Sequence, residues 1–162
     1  MKKGFIIFII IVAVVGLIYF KNISKSSTPP LTSNQTALNQ GERDAFVNSI
    51  IKLNKARDLS NDLSSGKAKS QEETENEMFV LTQDAIDLSK QVSDSFLDLL
   101  HPELKIMYRE KLIRGSQMWL DGTKDSYNKE DIEKQITGSK MSLEWINWFE
   151  QNSKSFEDKI FK

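Results

Sequence analysis

Met78, Leu81, Ala85, Leu88, Val92, Ser95 and Leu99 recur at alternating steps of three and four residues. Only an α-helix, at about 3.6 residues per turn, gathers such a set onto one face. Phe79, Ile86, Phe96 and Leu100 widen that face. A strand would need alternation at every second position, and no stretch of the chain competes on that pattern. The chain is therefore expected to be all-α, with helices that bury their apolar faces against one another.

Capping and breaking residues divide the rest of the chain into segments. Asn39 precedes Glu42 by three residues and Ser70 precedes Glu73 by three, the spacing of a capping box. Glu72, Glu75 and Glu77 crowd the first turns of the second segment, where negative charge suits the helix dipole. Phe46, Ile50, Leu53, Ala56 and Leu63 fall near one face of the first segment, which Gly66 closes. Pro102 in LLHPEL ends the second, because it disfavours helical geometry at His101 and has no N–H to donate. The same proline suits the opening of a third helix carrying Leu104, Met107, Tyr108, Leu112, Gly115 and Trp119, with Asp121-Gly122 as its stop. A fourth helix is expected from Asn128 to Phe161, with Ile132, Ile136, Ser139, Leu143, Ile146, Ser153, Phe156 and Ile160 as its main stripe. Short connections make successive helices antiparallel. Residues 41–162 thus read as an up-down bundle of about four helices, or as three with a loosely packed first helix.

Ahead of this domain, Gly4 to Phe20 form a run of 17 residues without charge, proline, asparagine or serine. A helix of that length reaches about 25 Å, enough to cross a bilayer core. The apolar contact with lipid would come from Phe5, Ile6, Phe8, Ile11, Val15 and Leu17, and Tyr19 and Phe20 would sit at the interface. A cleavable signal needs a small-x-small site after its apolar core, and here Leu17-Ile18-Tyr19-Phe20 follow instead. Residues 1–21 are therefore read as an uncleaved transmembrane signal-anchor. Lys2, Lys3 and the amino terminus lie before it, Lys21 and Lys25 after it. This bias places the N-terminus in the cytoplasm and the bundle on the periplasmic or extracellular side of the cell membrane. The run lacks small-xxx-small spacing, so it reads as a tether. Residues 22–40, rich in Ser, Thr, Asn, Gln and Pro, carry too little apolar material for a core and read as a flexible linker.

Composition narrows the function. Residues 1–40 hold four lysines and no acid, whereas 41–162 hold 18 bases against 23 acids. An acidic domain argues against nucleic acid, whose binding relies on phosphate neutralisation. The chain has no cysteine, which removes disulfides, thiolate nucleophiles and thiolate metal sites together. His101, the single histidine, has Ser95, Asp94 and Asp98 near it in sequence, but no glycine-rich oxyanion loop accompanies them. The acids of EETENE radiate around a helix, whereas a calcium cage needs ligands converging from a tight loop. DGTKDSYNKEDIE fails the calcium-loop pattern at its third, sixth and twelfth positions. Arg109 and Arg114 are five apart and diverge, and Glu110 stands four before Arg114 as a surface ion pair. No catalytic set, metal or cofactor is expected.

One feature points outward. In MSLEWINWFE, Met141, Trp145 and Trp148 form a second apolar line beside Leu143 and Ile146. A helix apolar that far round is either deeply buried or sticky. Trp and Met are enriched at protein interfaces, so these three residues are the candidate partner-binding surface. Gly115 and Gly138 either make room for a tryptophan or let two helices approach closely. The expected function is protein contact, as an accessory subunit, scaffold or inhibitor of an envelope complex. The alternative is a small-ligand sensor with an apolar site between helices near Trp119.

Overall fold

The computed structural model describes residues 38–124 and 129–161. The expected anchor and the linker up to residue 37 lie outside the described residues. Those described are helical, and no strand occurs among them. The elements are α1 (Gln40–Ser64), α2 (Gln71–Ser89), α3 (Asp94–Leu100), α4 (Leu104–Ile106), a π-helical segment (Met107–Ile113), α5 (Arg114–Lys124), α6 (Lys129–Asn152) and α7 (Lys154–Phe161). Met107 and Arg114 keep helical dihedrals, so α4, the π segment and α5 run on as one rod.

Local chemistry sets the ends of α1. Asn39 Oδ1 accepts the Gly41 N–H at 2.9 Å. Glu42 does not turn back to close a box. Its Oε1 accepts the Ser93 N–H at 2.8 Å, tying the start of α1 to the start of α3. At the far end Gly66 adopts φ 70°, the left-handed conformation in which a side chain is strained. The Gly66 N–H then reaches Leu63 O at 3.1 Å and the Lys67 N–H reaches Asp62 O at 2.8 Å, the paired bonds of a Schellman stop.

The second segment departs from its expected length. Ser70 caps α2 through the Glu73 N–H, but the helix stops at Ser89 instead of running to Leu100. Ser93 Oγ accepts the Phe96 N–H at 3.1 Å and opens α3. The turn between them shifts the phase: Phe96, Leu97 and Leu100 are buried, whereas Ser95 and Leu99 face solvent. His101 is extended, as a residue before proline must be. The third rod passes through Asp121-Gly122 to Lys124 without stopping.

The fourth segment is two helices, broken at Ser153, whose carbonyl accepts the N–H of Phe156 and Glu157. Its long helix α6 is also rotated from the expected face. Ile132, Ile136 and Leu143 are 44%, 49% and 53% exposed, whereas Gly138 and Trp145 are buried. The cause is the seam with α5. A Cβ on Gly138 would lie 2.4 Å from Gly115 O, and one on Gly122 2.5 Å from Asp131 O. Backbones that close require the glycine line, and not the isoleucine line, to face the neighbour.

Cross-helix pairs give the topology. Lys52 meets Asp84 and Lys55 meets Glu77, so α1 and α2 are antiparallel. Phe79 meets Trp119 and Ser89 meets Arg109, so α2 and the rod are antiparallel. Lys111 meets Glu144 and Gly122 meets Asp131, so the rod and α6 are antiparallel. The expected up-down order of the long helices is present, with α3 and α7 as short additions. Lys159 of α7 donates to Leu99 and Leu100 carbonyls, closing the end of α3.

The core centres on Phe46, Phe96, Tyr108, Trp145 and Phe156, all within 2% of complete burial. Tyr108 stands in the π-helical segment and shares a 2.7 Å hydroxyl hydrogen bond with Ser49. Beside it Arg109 donates to the carbonyls of Ser89 and Val92 and to Asp94, satisfying the turn between α2 and α3. Burial pushes the Tyr108 phenol up to about 12, from an ordinary value of 10.0. The phenolate is therefore the form the fold rejects, and the unfolded chain loses its proton first. Stability is fully present below pH 10 and falls by about 1.4 kcal/mol per pH unit as pH rises from 10 toward 12. Tyr108→Phe should flatten that slope, at a cost near 1 kcal/mol at neutral pH from the lost Ser49 bond. Urea titrations at several alkaline pH values check it; an equal slope in both proteins refutes it.

Candidate functional site

The antiparallel pairs build two hairpins, α1 with α2 and the rod with α6, joined through α2 and α5. α1 and α6, at the open side of the arrangement, approach one another much less closely. The gap between them is a groove of about 320 Å³. All four long helices contribute to its wall. Leu53 and Ala56 come from α1, Met78 from α2, Leu112 from the π segment, Trp119 from α5, and Leu143 and Ile146 from α6.

Polar groups in the wall fall into two kinds. Thr82 and Ser116 donate their hydroxyls to carbonyls of their own helices, Met78 O at 2.8 Å and Leu112 O at 2.7 Å. Ser60, Ser139 and Ser142 also line the groove, and no hydroxyl bond of theirs occurs among the described residues. Arg57 is the single charged residue of the lining, and no acid stands there. Burial lowers the Arg57 pKa from its ordinary value, and neighbouring Asp58 opposes that shift.

No family model, curated protein or solved structure matches this chain. Its function must therefore be argued from the groove and from the residues that the sequence singled out.

Those residues are not brought together as a surface. Trp145 is 2% exposed and packs against Tyr108, Trp148 and Phe149 with ring centroids 5.0–6.1 Å apart. Trp148 is half-buried over Trp145 and Phe156, and its Nε1 donates to Glu103 at 2.8 Å. Met141 is half-buried at the glycine seam, its Cβ facing Gly115. The line expected to meet a partner thus has its central tryptophan in the core. Trp119, by contrast, does stand at an apolar site between helices.

The other candidates have structural work. His101 Nδ1 accepts the Glu103 N–H at 3.2 Å and its ring packs on Trp148 and Phe156. No hydrogen bond joins it to Ser95, Asp94 or Asp98 among the described residues. Asp94 instead pairs with Lys105 and Arg109, which together hold its carboxyl below the usual range. Arg114 pairs with Glu110 at 2.9 Å as their spacing suggests. In EETENE, Glu75 accepts from Gln71 and Glu77 pairs with Lys55. No group of three or more metal-ligating side chains occurs among the described residues, and no helix there is long and apolar enough to cross a membrane. The failed calcium loop falls partly on 125–128, outside the described residues.

The groove itself was only half visible in the sequence. Trp119 marked its neighbourhood and Ser139 already lay on the expected stripe, but Ser142 carries no signal until α6 is turned to its observed face. Small hydroxyl residues at that helix position leave space where larger side chains would have closed the gap.

Proposed function

We propose that this chain is a membrane-tethered helical module that works by binding an apolar small molecule in the groove between α1 and α6. The tether is the run from Gly4 to Phe20, and the charge bias around it sets the bundle outside the cytoplasm. The observation that carries the binding reading is the groove: an apolar wall drawn from four helices, of a volume in the range of small-molecule sites, with a few hydroxyls and one cation. A bundle selected only for packing would fill such a gap, because unfilled apolar space forfeits contacts.

The test uses the full chain in nanodiscs of zwitterionic lipid and a medium-chain brominated alkanol, since bromine quenches a tryptophan it touches. Saturable quenching is expected, lost in Trp119→Phe and in Ser142→Phe, which fills the groove. Quenching that never saturates, or that survives Trp119→Phe unchanged, would sink the reading.

Protein contact is the second reading, and a different face favours it from the one the sequence suggested. Ile132 and Ile136 leave two exposed aliphatic side chains on α6 outside the groove lining. Site-directed cross-linking from position 136 in intact membranes should then give a defined adduct that Ile132→Asp abolishes.

A further inference from the structure

The groove runs from the core to solvent, and its polarity changes on the way. The hydroxyl bond between Ser49 and Tyr108 sets α1 in register with the rod, which runs the same way, so Leu53 stands level with Leu112 and Ser60 with Trp119. The α5–α6 seam, where Gly138 meets Trp119, brings Ser139 of α6 to that second level. Seven residues separate Leu53 from Ser60, and seven separate Ile146 from Ser139, so the two levels lie about 10 Å apart. Leu53 and Leu112 are buried in the core cluster and Ile146 packs against it, which makes the inner end apolar. Ser139 is exposed, so the outer end opens to water.

Resting on the binding reading above, we propose that the ligand is an uncharged amphiphile that ends in a hydroxyl. Its aliphatic tail lies at Leu53, Leu112 and Ile146, and its head lies among Ser60, Trp119 and Ser139. Charge argues against an ionic head. Arg57 is the one ionisable residue of the lining, it has a partner within the chain, and Asp58 beside it acts on it as an opposite charge. The wall thus holds no acid for a cationic head, and its one cation is already engaged. An ionised group taken from water without a partner costs far more than a neutral polar one. Hydrogen bonding favours a hydroxyl over a plain hydrocarbon end. The Ser60 and Ser139 hydroxyls and the Trp119 indole N–H make no hydrogen bond among the described residues, whereas the hydroxyls of Thr82 and Ser116 bond to their own helices. A serine hydroxyl both donates and accepts and an indole only donates, so a head that does both matches all three.

The experiment compares three probes of equal chain length, brominated near the head end: an alkanol, an alkanoic acid and a plain bromoalkane. It uses the full chain in zwitterionic nanodiscs at mildly alkaline pH, where the acid is ionised. Quenching of Trp119 reads binding, and partition into empty nanodiscs is measured for each probe. The acid is expected to need at least tenfold more probe than the alkanol, because its head finds no counter-ion. Ser60→Ala combined with Ser139→Ala should weaken the alkanol about threefold to tenfold, the range for one or two lost hydrogen bonds, and leave the bromoalkane unchanged. Both serines lie within helices and neither is buried, so alanine there keeps the fold. The ratio of acid to alkanol on the wild type tests the charge argument without any variant. An acid that binds as tightly as the alkanol, or more tightly, overturns the uncharged head. An alkanol unaffected by the double change, or a bromoalkane weakened as much as the alkanol, overturns the hydroxyl assignment and leaves the groove reading standing. Absence of saturable quenching by any of the three removes the groove reading itself.

Discussion

Trp145→Ala is expected to lower the unfolding free energy by about 3–5 kcal/mol, the range for truncating a fully buried large aromatic. The side chain is 2% exposed and lies against Tyr108, Trp148 and Phe149, so its loss opens a cavity at the junction of the π-helical segment and α6. Ile136→Ala on the same helix should stay within about 0.5 kcal/mol, because that side chain is 49% exposed and alanine is the better helix former. The pair of variants tests the rotation of α6 directly. Were the isoleucine line the buried one, Ile136→Ala would be the damaging change and Trp145→Ala the mild one. Urea titration followed by circular dichroism distinguishes the two orders.

Gly138→Ala should also destabilise the protein, by about 1–3 kcal/mol, although alanine is favoured over glycine within a helix by about 1 kcal/mol. The added Cβ would sit 2.4 Å from Gly115 O, 2.7 Å from the Trp119 N and 3.1 Å from the Trp119 Cβ. Two of those atoms are backbone and cannot swing aside, so α5 and α6 must separate. Separation also moves Trp119 and so widens or distorts the groove. Gly138→Ala should therefore weaken probe binding as well as stability. A variant more stable than the wild type would show that propensity outweighs the seam, and that the helices do not approach this closely.

Much of the fold was legible from spacing alone. Asn39 and Ser70 cap helices, Gly66 ends α1, and His101-Pro102 breaks the chain where pre-proline sterics demand it. These features depend on a few neighbouring residues, and local chemistry decides them. The break at Lys90 was legible too, through Ser93 and Asp94 as cap and first-turn acid, but a continuous 3-and-4 spacing across it concealed the signal. The π-helical segment had no such mark. Tyr108 and Arg109 occupy it while bonding to Ser49, Ser89 and Val92, partners that only the folded chain supplies.

The sequence by itself determined that the domain is helical, roughly where most helices begin and end, and that successive long helices run antiparallel. It also determined the apolar run ahead of them, which no tertiary contact is needed to recognise. Only the tertiary structure decided which of two apolar lines on α6 faces inward. Ile132, Ile136 and Leu143 have the same periodicity as Gly138, Met141 and Trp145, so periodicity is blind to the choice. Backbone proximity at Gly115, Gly122 and Gly138 breaks the tie, because helices that touch at glycine gain packing along the whole seam. That rotation puts Trp145 in the core and brings Ser142 to the groove beside Ser139, where the binding proposal now rests.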